Sequence, residues 1–270
     1  LVGSEMCIID IIKAVISNAF IDGQSLRTYR HFPNTGARKS WAAGDASAKA
    51  LKQVFISEVS DESYPTVLST KNWGFNDVLM GKNPLKLERE LGSYVMDNIL
   101  YKVSFPAEFH AQTAVEAGIS LHEKYGDKLD KISSIEVETQ EPAVRIISKT
   151  GPLYNYADRD HCLQYMIAIA LIYGEVEAKH YQDEIANNPM IDSLREKMII
   201  SENPKFSRDY LDPSKRSIAN SITLAFDDGS KSEKITVEYP VGHRNRREEG
   251  IPLLLDKFEA AIKSLSLIHI

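Results

Sequence analysis

The sequence predicts an α+β chain in which a helical segment is followed by an α+β segment and then by one returning helix. Three observations carry that expectation. From Ile9 to Val59 apolar and small residues recur at three- and four-residue spacing, the helix period. Near Ser93 the character changes to alternating β-branched and aromatic runs, with a hairpin signal at Asp227-Asp228-Gly229. A last helical pattern returns between Leu253 and Lys263. The 270 residues are 43% hydrophobic and 26% charged, enough to bury a sizeable core without disulfides or metals.

The first helix is expected over Ile9–Phe20, from Ile12, Val15, Ile16, Ala19 and Phe20, with Asp22-Gly23 as its stop. The second, Trp41–Val59, is rich in alanine, and its small side chains predict a central place in a helical layer. Between them Arg30 to Lys39 holds Pro33 and Gly36 and reads as a loop. Residues 69–90 are mixed, with Pro65 and Pro84 as punctuation. Tyr94 to Ser104 reads as a strand ended by Pro106. Glu108–Tyr125 reads as a helix with Val115, Ile119 and Leu121 on its apolar side, and Ile132–Glu138 as a half-buried strand. Asp160–Tyr173 is expected as one strongly apolar helix and Asp192–Met198 as a short one. Ile218–Phe226 and Lys234–Tyr239 form the hairpin, and Leu253–Lys263 closes the chain.

Composition removes several function classes. A net charge of −6 argues against bulk attraction to nucleic acid or anionic lipid. No apolar run approaches the roughly 18 residues that a membrane helix needs. Cys7 and Cys162 alone cannot build a disulfide framework, a four-cysteine zinc site or a thiolate-held cluster, and they suit a reducing compartment. Cys162 is expected in the core. The nucleophile elbow, the P-loop, the dinucleotide glycine fingerprint and the His-Glu-x-x-His zinc motif are all missing. The opening Leu-Val-Gly-Ser-Glu-Met-Cys-Ile and the closing Leu-Ser-Leu-Ile-His-Ile look like translated adaptor sequence. Residues 1–8 and 265–270 are therefore expected to be non-native, and the rest a fragment of a longer protein.

Four clusters remain as candidates for chemistry. Thr35-Gly36-Ala37-Arg38-Lys39-Ser40 offers loop amides, a helix start and two cations, which suit a carboxylate or phosphate; the plainer alternative is two surface charges. Lys102 to His110 places a lysine and a histidine at a strand-to-helix junction, where they could bind an acid or move a proton; the alternative is a snorkelling lysine and a core-edge histidine. In Asp158-Arg159-Asp160-His161-Cys162-Leu163-Gln164-Tyr165 the aspartates could be helix caps. His161 and Tyr165 fall four apart, on one face of the expected helix. Tyr239 to Gly250 carries a basic run, but Glu248 and Glu249 follow it at once, so a local anion contact or a hinge fits better than nucleic acid.

Together these clusters resemble the MmgE/PrpD family. The resemblance rests on the strings Ser17–Thr28, Asn34–Ser47, Phe105–Ala117, Asp158–Ala168 and Tyr239–Leu253, and covers nearly the whole chain between its ends. It is closer to the family's cofactor-independent dehydratases than to its aconitate decarboxylases or epimerases. It implies part of an all-helical domain plus an α+β lid with a small, mainly antiparallel sheet, and a site in the cleft between them. The domain limits that follow are 9–92 for the C-terminal part of the helical domain, 93–242 for the lid, and 243–264 for a segment returning to the helical domain. Family chains are almost twice this length, so part of the machinery is expected elsewhere.

By resemblance, Lys39 matches an active-site lysine, Tyr165 an active-site tyrosine after glutamine, and Lys102 a second lysine before the Phe-Pro pair. His110 and His161 lie in family strings. The implied reaction removes water from 2-methylcitrate to give 2-methyl-aconitate, without metal or cofactor. Lys39 and Lys102 are assigned to carboxylate binding or charge stabilisation, and Tyr165 or His161 to proton transfer. Arg38, His110 and Arg159 are assigned to substrate binding. The resemblance also implies a homodimer, with a tricarboxylate as the small-molecule partner and neither nucleic acid nor membrane. The expected compartment is a bacterial cytoplasm or a mitochondrial matrix.

Overall fold

The computed structural model describes residues 8–23, 26–30, 33–60, 63–87, 90, 92, 100 and 102–264. The chain divides into two compact units, residues 1–92 and 93–270.

In the first unit, α1 (Ile8–Asp22) ends where the Gly23 amide closes on the Ala19 carbonyl at 2.8 Å. A 3-10 turn at Thr28–Arg30 precedes α2 (Arg38–Val59), which begins three residues before Trp41. The two helices pack on each other. Ser17, buried on α1, donates to the Ala14 carbonyl and accepts the Tyr64 amide at 3.1 Å, which ties the 60s turn to the helix. Phe20 meets Phe75 of the short α3 (Phe75–Val78) edge to face at 5.0 Å. The central place expected for α2 is not seen. Ser57 is its buried residue, while Trp41, Leu51, Phe55 and Val59 are exposed. Small side chains permit a close neighbour but do not supply one.

In the second unit, the strand expected over Tyr94–Ser104 lies largely outside the described residues. Its described end, Lys102–Ser104, is irregular backbone. A 3-10 turn at Phe109–Ala111 leads into α4 (Gln112–Tyr125), whose Ala114, Val115, Ala117 and Leu121 are fully buried. β1 (Ile132–Thr139) follows with its alternation intact: Ile135, Val137 and Thr139 inside, Glu136 outside. A register shift against its antiparallel neighbour between Ile132 and Ser134 lets both Ile132 and Ile135 face inward.

The next stretch holds α5 (Glu141–Ile147), α6 (Tyr156–Arg159) and α7 (Leu163–Tyr173). The single helix expected from Asp160 to Tyr173 is broken. Cys162, extended at φ −117° and ψ 110°, is the N-cap of α7, so Asp160 to Cys162 form a non-helical joint. The apolar run that begins at Leu163 follows the joint directly, so Asp160 reads as the start of the same helix. Gly174 closes α7 in the left-handed region at φ 67°, and an added Cβ there would lie 2.5 Å from His122.

After a 3-10 turn at Ala178–Tyr181 come α8 (Asp183–Ala186), α9 (Pro189–Glu196), β2 (Met198–Glu202) and α10 (Pro204–Leu211). The helix expected over Asp192–Met198 thus starts earlier and gives way to a strand. Asn188-Pro189 and Asn203-Pro204 are the missed signals. Each asparagine caps its helix, accepting the Met190 and Lys205 amides at 3.0 Å, with proline in the first turn. β3 (Asn220–Phe226) and β4 (Ile235–Val237) form the expected hairpin, with Gly229 at φ 82°. The sheet order is β2-β1-β3-β4; β2 runs parallel to β1 and the other pairings are antiparallel. α11 (Arg247–Ser264) closes the chain. One core joins α4 and α7 to the inner face of the sheet.

Candidate functional site

Two carboxylate–histidine pairs meet where the 3-10 turn before α4 touches the joint before α7. Glu108 caps that turn by accepting the His110 amide at 2.7 Å, and the same carboxylate holds His110 Nδ1 at 3.0 Å. A carboxylate can only accept, so Nδ1 carries the proton and Nε2 is left as an acceptor. Tyr210, at the end of α10, lies 3.3 Å from that Nε2 through its hydroxyl. The Glu108 amide donates to the Asp160 carbonyl at 3.2 Å. The Asp160 carboxylate in turn pairs with His161 Nδ1, which fixes the tautomer of that ring in the same way. Both imidazoles are buried.

His161 and Tyr165, expected on one helix face, do not share a helix, because α7 begins at Leu163. The two residues have separate surroundings. Tyr165 is 2% exposed, its hydroxyl donates to the His180 carbonyl at 2.6 Å, and its ring stacks on Tyr181. Burial pushes its phenol up to about 12. Arg159 reaches the same turn, donating to the Tyr181 carbonyl at 2.7 Å and pairing with Asp183 at 2.6 Å. Two candidate residues thus hold the 178–181 turn in place. Asp158 does not cap α7; it accepts the Tyr154 amide and lies 3.5 Å from Lys149 Nζ. Cys162 is fully buried, and that burial raises its thiol.

Lys102 is exposed on irregular backbone, and its carbonyl accepts from Lys257 Nζ at 3.2 Å. Arg38 and Lys39 belong to the other unit and open α2 rather than preceding it. Arg38 pairs with Asp45 at 3.0 Å and lies over the Trp41 ring at 4.3 Å. In the basic run, His243 caps the turn Arg244–Arg246 by accepting the Asn245 amide, and Arg246 is tied to Glu116, so these residues serve a junction.

A cavity of about 510 Å³ is lined by Lys149, Gly151, Asp192 and Arg195 among others, and by none of the site residues expected from sequence. No group of three or more His, Cys, Asp or Glu among the described residues is arranged to hold a metal, and no described helix is long and apolar enough to cross a membrane. Glu108, Asp160 and Tyr210 were missed as partners of the histidines. Glu108 and Asp160 adjoin them in sequence and could have been found; Tyr210 is 100 residues away and could not.

The chain is similar to known proteins along most of its length. It is 56% identical over 246 residues to "2-methylcitrate dehydratase, mitochondrial" of Yarrowia lipolytica, covering 90% of this chain and 47% of that protein. It is 53% identical to "Probable 2-methylcitrate dehydratase" of Saccharomyces cerevisiae, covering 92% of this chain and 49% of that one. It is 50% identical to "2-methylcitrate dehydratase" of Salmonella typhimurium, covering 93% and 52%. The chain therefore spans about half the length of the curated relatives it matches. The MmgE/PrpD N-terminal domain profile matches residues 10–88, and the C-terminal domain profile matches residues 105–266. With both profiles matched in order, this chain belongs to the MmgE/PrpD family.

Proposed function

We propose that the protein carrying this chain is a 2-methylcitrate dehydratase, eliminating water from 2-methylcitrate to give 2-methyl-aconitate without a cofactor. The observation that carries this is the high identity to proteins of that name, sustained along almost the whole chain. The paired histidines support it chemically. Elimination needs one group to take a proton beside a carboxylate and another to protonate the departing hydroxyl. An imidazole whose Nδ1 is fixed by a carboxylate presents Nε2 for that exchange. We assign protonation of the leaving hydroxyl to His161. Lys39, Lys102 and Arg38 supply positive charge for the substrate carboxylates and for the enolate that develops. His110 and Arg159 shape the binding surface from behind. A proton-transfer role for Tyr165 requires its hydroxyl to exchange the His180 carbonyl for substrate. The protein acts as a homodimer, in the mitochondrial matrix of a eukaryote or the cytoplasm of a bacterium.

The test is dehydration of 2-methylcitrate, citrate and cis-aconitate in parallel by a full-length polypeptide carrying this sequence, with a chelator present. Chelator-insensitive turnover of 2-methylcitrate supports the proposal. Release of carbon dioxide from cis-aconitate without dehydration moves the protein to a decarboxylase.

A further inference from the structure

The Glu108–His110 pair has no nitrogen left for substrate. Nδ1 is held by Glu108 and Nε2 by the Tyr210 hydroxyl, and the ring is buried between them. The ring also packs on Tyr210 with centroids 5.6 Å apart. Carboxylate, imidazole and hydroxyl stand in line, the arrangement in which a base oriented by a third group draws the proton from a hydroxyl. Both ends of this line, Glu108 and Tyr210, are partly exposed, and Tyr210 is the end that carries a hydroxyl. The charged groups around it are Glu108, Arg216, Arg145 and Glu141. Arg216 itself is held at φ 50°, a left-handed backbone that strains a non-glycine residue and recurs near functional sites. Its amide bond to the Asp212 carbonyl at 2.8 Å fixes that turn beside the phenol.

We propose that Tyr210 is a catalytic base of this protein, driven through His110 by Glu108, and that it removes the proton from the carbon beside a substrate carboxylate. The proposal rests on the dehydratase function above. Tyr210 Oη takes the C–H proton as its own phenolic proton passes to His110 Nε2. The C–H electron pair becomes the new C=C bond. The C–O bond breaks, and the hydroxyl takes the Nε2 proton of His161, which enters this step as an imidazolium paired with Asp160, and leaves as water. His110 is left as an imidazolium against Glu108 and returns its extra proton to solvent, while His161 regains one. Burial raises the Tyr210 phenol, which makes its conjugate base the stronger acceptor.

The experiment compares the full-length wild type with Tyr210→Phe and Glu108→Gln on 2-methylcitrate, with thermal melts of each. Tyr210→Phe removes one oxygen and is expected to melt as the wild type does. Its kcat should fall about 100-fold or more, the scale of a lost acid–base group, with KM nearly unchanged. Glu108→Gln should lower kcat less and displace the acid limb of the kcat–pH profile, because His110 then loses its carboxylate. A folded Tyr210→Phe with near-wild-type kcat overturns the proposal and leaves the dehydratase function standing. If that variant does not fold, an unchanged pH profile in Glu108→Gln overturns it instead. A wild type that fails to dehydrate 2-methylcitrate overturns the function itself, and the proposal with it.

Discussion

Arg246 and Glu116 meet through two 2.9 Å bonds, one from each terminal nitrogen of the guanidinium to each carboxylate oxygen. The same guanidinium donates to the Tyr239 carbonyl at 2.7 Å and to Glu249. One side chain thereby fastens the start of α11 to α4 across 130 residues of sequence. Those acceptors hold the guanidinium well above its ordinary pKa, so it stays charged. Arg246→Ala should cost about 2 kcal/mol, the scale of lost charge-assisted hydrogen bonds with a partner left unpaired. Arg246→Lys should recover only part, since an ammonium cannot match the two-point geometry. Urea unfolding of the two variants checks both statements; equal stability of the lysine variant and wild type would show that charge alone suffices.

Gly118 on α4 faces Ala170 on α7, and an added Cβ would stand 2.9 Å from the alanine methyl. Neither atom belongs to a flexible chain, so the helices themselves must part. Gly118→Val should destabilise by about 1–3 kcal/mol through overpacking, and more than Gly118→Ala. Chemical denaturation measures the difference, and the order of the two variants is the decisive result.

His243 is 1% exposed, and burial lowers its pKa from the usual value of 6.5. In the unfolded chain the ring takes a proton near 6.5; in the folded chain it resists until lower pH. The unfolded state therefore binds more protons between those two values. Stability from this site is present above about 6.5 and lost as pH falls below it toward the folded value. His180 is lowered by burial in the same direction. Melting temperature should thus fall as pH drops from 7 toward 5, and His243→Asn should flatten part of that slope while keeping a cap for Asn245. A slope unaltered by the substitution would assign the acid loss to other groups.

Tyr165→Phe deletes the bond to the His180 carbonyl and leaves that buried oxygen without the phenol, a loss of about 1–2 kcal/mol. Stability and turnover measured on the same variant separate its two possible duties. A loss of stability with kcat retained makes Tyr165 a strut for the 178–181 turn. A kcat loss far beyond the stability change makes it a proton carrier.

Much of the fold was legible in the sequence because it rests on periodicity. α1, α2, α4, β1 and the β3–β4 hairpin lie close to where apolar spacing and Asp227-Asp228-Gly229 place them. Two of the misses have separate causes. β2 is five residues long, with Ile199 and Ser201 exposed, so its pattern is too brief to stand against the helix before it. The joint at Asp160–Cys162 is invisible because His161 and Cys162 are buried either way.

The sequence by itself determined the two-part α+β character, the buried cysteine and the family strings, since these follow from local patterns and residue types. Tertiary structure alone decided that Tyr210 faces His110 and that the two histidine pairs lie together. Glu108 and Asp160 are sequence neighbours of the rings they hold, yet only the 3.2 Å bond between the Glu108 amide and the Asp160 carbonyl sets the two pairs side by side. Tyr210 reaches His110 because the sheet and α10 carry it there, and no local pattern records a contact 100 residues apart. Hydrogen-bond geometry across distant segments is fixed by packing of the whole core, and there the chemistry of this chain is decided.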